Sequence, residues 1–182
     1  LDAEVISLGL DFYQNLGIKG VRVGINNVGN PEIRAAYFEK LIEYFTPYEN
    51  ELDADAKSRL YRNPMRILDS KHKRTQEIAG EAPSILDFLD RASSENFELV
   101  KAYLTELQVS YEVNDRLVRG LDYYTQTAFE FMVDDLGAQA NTIGGGGRYN
   151  GLVKELGGPE ISGVGFGIGL ERVLLALRQQ QV

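Results

Sequence analysis

The sequence has no cysteine, no tryptophan and a single histidine, His72. Without cysteine the chain can form neither a disulfide nor a thiolate zinc site. One histidine is too few for a metal-binding histidine pair and confines any histidine-based triad to one position, which argues against zinc-protease, cupin and serine-hydrolase functions. No apolar run approaches the ~18 residues that a membrane-spanning helix needs. Residues 1–16 are amphipathic and carry acids, so they do not have the form of a signal peptide.

The composition is otherwise that of one ordinary globular domain. The 182 residues are 43% apolar and 25% charged, with a formal net charge of -8. The acidic balance argues against a protein whose whole surface binds nucleic acid. Because the first residue is Leu1 rather than methionine and falls inside a predicted helix, we expect the sequence to be part of a longer protein.

One segment is basic although the chain as a whole is acidic. Residues 57–74 hold seven basic residues and one acid, Asp69. A solvated helix face and loop would account for such a run. Contact with a phosphate backbone is the alternative.

In the first hundred residues, apolar side chains recur mostly at helical spacing, and glycine or proline residues mark where helices end. A first helix, which ends at Gly17, carries the apolar residues Val5, Leu8, Phe12 and Leu16 at helical spacing. Residues 21–25 alternate as a half-buried strand does. Asn30 and Pro31 begin a helix that ends near Thr46. Further helices are predicted over residues 53–62, 84–90 and 94–107.

From residue 111 the period becomes that of strands. Strands are predicted over residues 111–118, 127–133 and 140–145, a helix over 147–156, and a strand over 164–167 that leads into a last helix. The apolar face of that last helix is Leu170, Val173, Leu174 and Leu177. Short turns between consecutive strands predict an α+β fold with an antiparallel sheet.

Glycine is concentrated in one region, since twelve of the 19 glycines lie between residues 137 and 169. The chain has no Gly-Lys dipeptide and no G-x-G-x-x-G spacing, so it is neither a P-loop protein nor an ordinary dinucleotide-binding fold. The alternate glycines Gly165, Gly167 and Gly169 clear one strand face, which lets a planar base lie on the backbone. Arg172, one turn into the next helix, can stack on that base or bind phosphate. A glycine-rich strand packed against a close helix is the alternative.

Two further clusters combine an arginine with tyrosines. Residues 119–124 read RGLDYY and residues 146–151 read GGRYNG. Arginine keeps its charge, and a tyrosine hydroxyl can bind a polar ligand while its ring excludes water. Each cluster alone is typical of a core tyrosine beside a surface ion pair. Together with the glycine strand, they predict one shared pocket.

These motifs resemble those of the histidyl-tRNA synthetases, a family of class II aminoacyl-tRNA synthetases. Residues 117–124 resemble the first histidine-specific signature, residues 145–152 the second, and residues 163–172 class II motif three. Residues 30–36 and 61–71 are similar to the family's insertion domain. Two positions depart from the family pattern, because Asn150 stands where many members carry Asp and Gly144 where Cys or Ala is common.

The resemblance implies a fold and a division of the chain. The fold is α+β, with the antiparallel sheet of the class II catalytic core, flanking helices and a helical insertion domain. Residues 1–30 and 111–182 would belong to the catalytic core, and residues 31–110 to the insertion domain.

The resemblance also implies a reaction, the ATP-dependent ligation of histidine to its tRNA through histidyl-adenylate. Arg119 would be catalytic, because it would stabilise the α-phosphate and contact the bound histidine. The other implied site residues are Tyr123, Tyr124 and Tyr149 for histidine, and Gly145, Gly167, Gly169 and Arg172 for the nucleotide. Magnesium would arrive with ATP, and no protein-bound metal is expected.

The partners that the resemblance implies are histidine, ATP and the tRNA acceptor stem. The insertion domain of the family approaches that stem, so the basic segment supplies candidate tRNA contacts, which are Lys57, Arg59, Arg62 and Arg66. The parent enzyme would be a cytoplasmic homodimer without membrane contact.

By the same resemblance the sequence lacks motif one, motif two, the early glutamate that binds the histidine amine, and the anticodon-binding domain. We therefore expect the 182-residue chain to be inactive alone. Two other functions stay open. One is a non-catalytic, histidine-binding regulatory subunit of ATP phosphoribosyltransferase, which typically lacks the insertion and has eroded catalytic signatures. The other is a tyrosine-rich ligand-binding module that takes no nucleotide.

Overall fold

The computed structural model describes residues 1–118, 123–136 and 141–182. Within these ranges five strands form one sheet with helices packed against it. The strands are β1 (Arg22–Asn27), β2 (Tyr111–Val113), β3 (Thr125–Met132), β4 (Thr142–Arg148) and β5 (Val164–Ile168). The α-helices are α1 (Asp2–Asn15), α2 (Pro31–Phe45), α3 (Ala54–Arg59), α4 (Lys73–Gly80), α5 (Arg91–Glu106), α6 (Leu152–Glu155) and α7 (Leu170–Gln179). Short 3-10 helices cover Thr46–Glu51, Pro64–Ile67, Ile85–Phe88 and Asp134–Leu136.

The strand order across the sheet is β2-β1-β3-β4-β5. Three neighbouring pairs, β1 with β3, β3 with β4 and β4 with β5, are antiparallel. The edge strand β2 pairs with β1 in parallel, which the sequence analysis did not predict. The chain between these two strands passes through several helices, and a helical crossover of that kind permits parallel pairing. The predicted α+β fold, with its mainly antiparallel sheet, is confirmed.

One hydrophobic core belongs to the helices that follow β1. The helix α2 begins where predicted, since Asn30 Oδ1 accepts a hydrogen bond from Ile33 N at 2.8 Å and Pro31 takes the first helical position. Its inner face packs with apolar side chains from the segments that follow it, up to Ile85, and with Leu117, Tyr124 and Ala128. We call this group the helical-unit core; its largest fully buried members are Tyr37, Leu41, Phe45, Leu60, Ile67 and Ile85.

A second core, the sheet core, lies on one face of the sheet beneath α1, α5 and α7. It includes Ile6, Tyr13, Val23, Ile25, Phe97, Leu104, Phe129, Phe131 and Val173. The helix α5 therefore packs on the sheet although it falls within residues 31–110, the predicted insertion domain. The predicted domain boundaries stay a prediction.

The buried face of α1 differs from the face that the apolar periodicity marks. Its buried apolar residues include Ile6 and Tyr13. Leu8 is 62% exposed, and Phe12 and Leu16 are also exposed. The periodicity predicted the helix correctly, but most of its apolar stripe faces solvent here. The last helix behaves similarly, since its buried residues are Val173 and Ala176 while Leu170 and Leu174 are exposed.

Two other helix predictions need correction, and one helix was missed. The helix predicted over residues 147–156 is wrong in its first half, because β4 continues to Arg148 and α6 covers only Leu152–Glu155. The segment after Pro83 forms a 3-10 turn rather than an α-helix. The helix α4 was not predicted, and its apolar residues are too few to show a clear period. Among the described helices, none combines the length and apolar character needed to cross a membrane.

Candidate functional site

A cavity of about 660 Å³ opens along the ends of β4 and β5. Its lining includes every described residue that the sequence analysis assigned to histidine or the nucleotide, which are Tyr123, Tyr124, Gly145, Tyr149, Gly167, Gly169 and Arg172. The remaining lining residues come from the same two strands, the start of α6 and the strand-to-helix junction. The described tyrosines of the two clusters and the glycine strand therefore line one cavity, whereas Arg148, the arginine of the second cluster, does not line it.

The glycines of β4 and β5 make this sheet face flat. Gly145 pairs with Gly167, and Gly147 with Gly165, so these four residues share one face of the antiparallel pair. A Cβ built at Gly167 would meet no atom within 4 Å. Open space above a strand backbone is what a planar ligand needs in order to lie on the sheet.

The opposite face of β4 has no free space. A Cβ at Gly144 would lie 2.1 Å from the hydroxyl of Tyr13, which reaches up from α1. That hydroxyl donates a hydrogen bond to the carbonyl of Ile143 at 3.3 Å. Burial among apolar groups raises the pKa of Tyr13 to about 12, so the phenol is neutral at physiological pH. The helix α1 thus supports the strand directly behind the cavity.

Three tyrosines form one wall of the cavity. The ring centroids of Tyr123 and Tyr124 are 4.7 Å apart, and those of Tyr123 and Tyr149 are 6.2 Å apart in an edge-to-face arrangement. Tyr149 lies over the start of β5, since a Cβ at Gly163 would overlap its ring at 2.2 Å. The backbone N–H of Tyr149 also donates to the carbonyl of Gly163 at 2.8 Å. The Tyr149 ring can take this position only because residue 163 is a glycine, which has no side chain.

A buried ion pair holds the end of β4 from which Tyr149 projects. Arg148 Nε donates to Asp2 Oδ1 at 3.0 Å, and a second guanidinium nitrogen contacts the other carboxylate oxygen. The two side chains are only 16% and 8% exposed. Arg148 Nη1 also donates to Asn150 Oδ1 at 3.3 Å, so the residue that departs from the family pattern keeps a defined contact. The sequence analysis missed this pair because its members lie 146 residues apart.

The described lining contains one charged side chain, that of Arg172. Arg172 is in the first turn of α7, and its Nη1 donates to the carbonyl of Thr142 at 2.6 Å. This bond holds the guanidinium at the first residue of β4. Because Arg172 is the one charged side chain in the described part of the lining, the cavity favours an anionic ligand.

Arg119, the predicted catalytic residue, lies outside the described residues. The structure describes the chain on both sides of it, up to Val118 and again from Tyr123. Of these flanking residues, Tyr123 and Tyr124 line the cavity.

The four candidate tRNA contacts lie on α3 and the turns that follow it, and none of them lines the cavity. Lys57 and Arg62 are exposed, whereas Arg59 and Arg66 are half-buried. Arg59 forms an ion pair of 2.9 Å with Asp55. Within the described ranges, no group of three or more histidine, aspartate or glutamate side chains could hold a metal ion.

Comparison with known proteins relates the chain to one family. Residues 1–173 match the model of the histidyl-tRNA synthetase family. A histidine--tRNA ligase of Rippkaea orientalis is 54% identical over 180 residues, which cover 99% of this chain and 42% of the relative.

Solved structures agree with this comparison. The crystal structure of the apo histidyl-tRNA synthetase of S. aureus aligns with all of this chain and 44% of its own, at 43% identity and a TM-score of 0.75. A protein of Bacillus halodurans C, described as an ATP phosphoribosyltransferase regulatory subunit/histidyl-tRNA synthetase, shares 22% identity at a TM-score of 0.61, which shows a common fold. The chain spans about 42% of the length of its curated relatives. On this evidence the chain belongs to the histidyl-tRNA synthetase family.

Proposed function

We propose that the protein containing this chain activates histidine with ATP and transfers it to its tRNA. The observation that carries the proposal is the cavity, in which three tyrosines, a side-chain-free strand surface and Arg172 meet in a chain of this family. Relatives that are 54% identical are named histidine--tRNA ligases, so the regulatory-subunit alternative is not favoured.

In the proposed reaction a carboxylate oxygen of histidine attacks the α-phosphorus of ATP. A new bond forms between these atoms, the bond to the bridging oxygen breaks, and pyrophosphate leaves with the electron pair. Negative charge grows on the α-phosphate oxygens in the transition state, so a fixed cation accelerates the step. We assign that role to Arg119. Removing one such donor typically lowers the rate about a hundredfold or more.

The adenine would lie on the flat face of Gly145 and Gly167, beside Gly169. Arg172, held by the Thr142 carbonyl, would cover the base or bind the terminal phosphates. Magnesium would enter with ATP as part of the substrate and neutralise its phosphates.

The histidine side chain would lie in the cavity against the wall formed by Tyr123, Tyr124 and Tyr149. An imidazole has two ring nitrogens, and a site that provides a polar partner for each discriminates strongly against apolar amino acids, which leave those partners unpaired. The tRNA acceptor stem would contact the exposed basic residues of α3 and of the turns that follow it. We also propose, from the family, that the parent enzyme is a cytoplasmic homodimer.

The test is histidine-dependent exchange between ATP and radiolabelled pyrophosphate, followed by charging of tRNA, with the full-length protein. We expect exchange with histidine and none above background with phenylalanine or glutamine. The 182-residue chain alone should show no exchange. Histidine binding without exchange by the full-length protein would contradict the proposal and support a regulatory function instead.

A further inference from the structure

The segment that carries Arg119 packs on the helical unit at both of its described ends. Leu117 and Tyr124 are 4% and 6% exposed, and both belong to the helical-unit core. Val118 and Tyr123 pack against the same core. The helices after β1 therefore form part of the support of the site, beyond their proposed contact with tRNA.

Arg116 ties the first end of this segment to the helical unit. Its Nη1 donates to the carbonyl of Pro83 at 3.2 Å, and its Nη2 donates to the carbonyls of Gly80, at 3.1 Å, and Ala82. These carbonyls end α4 or follow it, where no further helical turn provides N–H donors. A planar guanidinium can serve three acceptors at once, which a lysine ammonium cannot do in the same geometry. Its side chain is 26% exposed, so these bonds are partly shielded from water.

The sheet holds the same end from the other side. Asn26 of β1 is fully buried, and its Nδ2 donates to the carbonyls of Asp115, at 3.3 Å, and Leu117, at 3.1 Å. Residues 115–117 are thus fixed between β1 and the end of α4.

Arg34 ties the second end. It lies in the first turns of α2, and its Nη1 donates to the carbonyl of Tyr124 at 3.1 Å. Two backbone hydrogen bonds lie beside this contact, from Val28 N to the Gln126 carbonyl at 2.7 Å and from Gln126 N to the Gly29 carbonyl at 3.0 Å. The chain that enters α2 and the chain that leaves the segment are therefore joined.

We infer that Arg34 and Arg116 are positioning residues for amino-acid activation, which hold the two ends of residues 117–124 so that Arg119 and the cavity tyrosines act together. The inference rests on the proposed function. Each arginine makes charge-assisted hydrogen bonds to backbone carbonyls, which are stronger and more directional than neutral ones. A reacting geometry displaced by about 1 Å can cost about a hundredfold in rate.

The experiment uses the full-length protein and measures the single-turnover rate of adenylate formation. For Arg34→Met and Arg116→Met we expect this rate to fall about ten- to a hundredfold, with KM for ATP changed by less than about twofold. The matched control is Tyr44→Phe. It removes a hydrogen bond of 2.9 Å to the Ile78 carbonyl of α4 but none of the arginine hydrogen bonds to the Gly80, Ala82, Pro83 and Tyr124 carbonyls, so it should keep the wild-type rate.

A double-mutant cycle separates positioning from general stabilisation. If Arg34 acts through Arg119, then Arg34→Met combined with Arg119→Ala should be no slower than Arg119→Ala alone. Multiplicative losses, or a wild-type rate in Arg34→Met and Arg116→Met, would overturn the inference. Where Arg34→Met lowers the unfolding midpoint, Arg34→Lys keeps the charge and most of the stem and gives the same comparison.

The outcomes also distinguish this inference from the proposed function. If the wild-type full-length protein shows no histidine-dependent exchange, the proposed function fails and the inference fails with it. If the wild type is active and the cycle is multiplicative, only the positioning role fails.

Discussion

Tyr13 occupies the space that a side chain at Gly144 would need. The distance from a Cβ at residue 144 to the Tyr13 hydroxyl would be 2.1 Å, and the distance to the ring carbon that carries it 3.4 Å. The closest clash is therefore with the hydroxyl oxygen, and the next nearest atom is the Gly167 carbonyl oxygen at 3.0 Å. A side chain at residue 144 would therefore have to displace the buried Tyr13.

We expect Gly144→Ala to lower the free energy of unfolding by about 1–3 kcal/mol, because overpacking a tight core has that cost. In the background of Tyr13→Phe, which removes the hydroxyl, the same substitution should cost much less. Urea denaturation of the four proteins in this cycle measures the coupling. Equal costs of Gly144→Ala in both backgrounds would contradict the explanation.

Gly167 is a different kind of glycine, because nothing lies within 4 Å of the place where its Cβ would be. We expect Gly167→Val to leave the unfolding midpoint nearly unchanged, since valine suits a strand and its Cβ would meet no neighbour. In the full-length protein it should lower kcat/KM for ATP by about tenfold or more, because the new side chain would stand on the proposed adenine surface.

The contrasting variant is Gly146→Ala in the same sheet. Its Cβ would lie 2.0 Å from the Gly165 carbonyl oxygen and 2.6 Å from Phe166 Cα, both of them backbone atoms that cannot move aside easily. This variant should lose stability, whereas Gly167→Val should lose activity. A Gly167→Val enzyme with normal ATP kinetics would show that the nucleotide lies elsewhere.

At the scale of elements, Asp53 fixes the start of α3. Its Oδ1 accepts hydrogen bonds from Asp55 N and Ala56 N, and its Oδ2 accepts from the hydroxyls of Ser70, at 3.0 Å, and Thr75, at 2.9 Å. Burial is the largest single influence and opposes ionisation, but these hydrogen bonds together outweigh it and lower the pKa of Asp53. One carboxylate thus joins α3, the turn before α4, and α4.

A lowered pKa has a defined effect on stability. The contribution of the Asp53 carboxylate is fully present above the pKa of an unfolded aspartate, about 3.9, and is lost as pH falls through the lower folded pKa. We expect Asp53→Asn to reduce the free energy of unfolding at pH 7 by about 1–2 kcal/mol. The difference from wild type should shrink below about pH 4. Denaturation series at several pH values measure this.

The control for Asp53 is Asp55→Asn in the same helix. Asp55 makes an exposed ion pair with Arg59, and such pairs contribute about 0–1 kcal/mol. A loss at Asp53 that is no larger than the loss at Asp55, or that does not change with pH, would contradict the assigned network.

The elements differ in how far the sequence predicts them. Helix starts with a capping residue and proline, as at Asn30 and Pro31, follow from local chemistry and are confirmed. The buried face of α1 could not be predicted from hydrophobicity, because small residues decide it. A Cβ at Gly9 would lie 2.3 Å from the Phe131 ring, so close contact with the sheet requires the face that lacks large side chains. The more apolar stripe, which includes Leu8, faces solvent.

The site shows the same division. Its tyrosines and glycines form short signatures, so a resemblance finds them, and the described ones meet at one cavity. Asp2, Arg34 and Arg116 act on partners more than 30 residues away, and no local pattern marks such contacts. Long-range support of a site is a property of the tertiary structure.

At the scale of the whole molecule, an acidic chain with a net charge of -8 carries a basic segment. Part of the positive charge of that segment is balanced by nearby acids of the same chain. Arg59 pairs with Asp55, and Arg74 pairs with Glu51 and Glu77. Lys57 and Arg62 are exposed, and Lys57 Nζ reaches the backbone carbonyl of Asn50 at 3.4 Å. Of the four candidate tRNA contacts, these two are the exposed ones, so they are the best placed to reach phosphates if the helical unit contacts tRNA.

We therefore expect Lys57→Ala combined with Arg62→Ala to weaken tRNA binding by the full-length protein and to reduce the slope of log Kd against log salt by about one to two, as the loss of two phosphate contacts would. Adenylate formation should stay unchanged, because neither residue lines the cavity. The matched control, Arg74→Ala, removes a guanidinium already held by two carboxylates and should leave tRNA affinity within about twofold. Filter-binding titrations at several salt concentrations measure both quantities. An unchanged slope in the double variant would mean that the basic segment is a solvated surface and that the acceptor stem binds elsewhere.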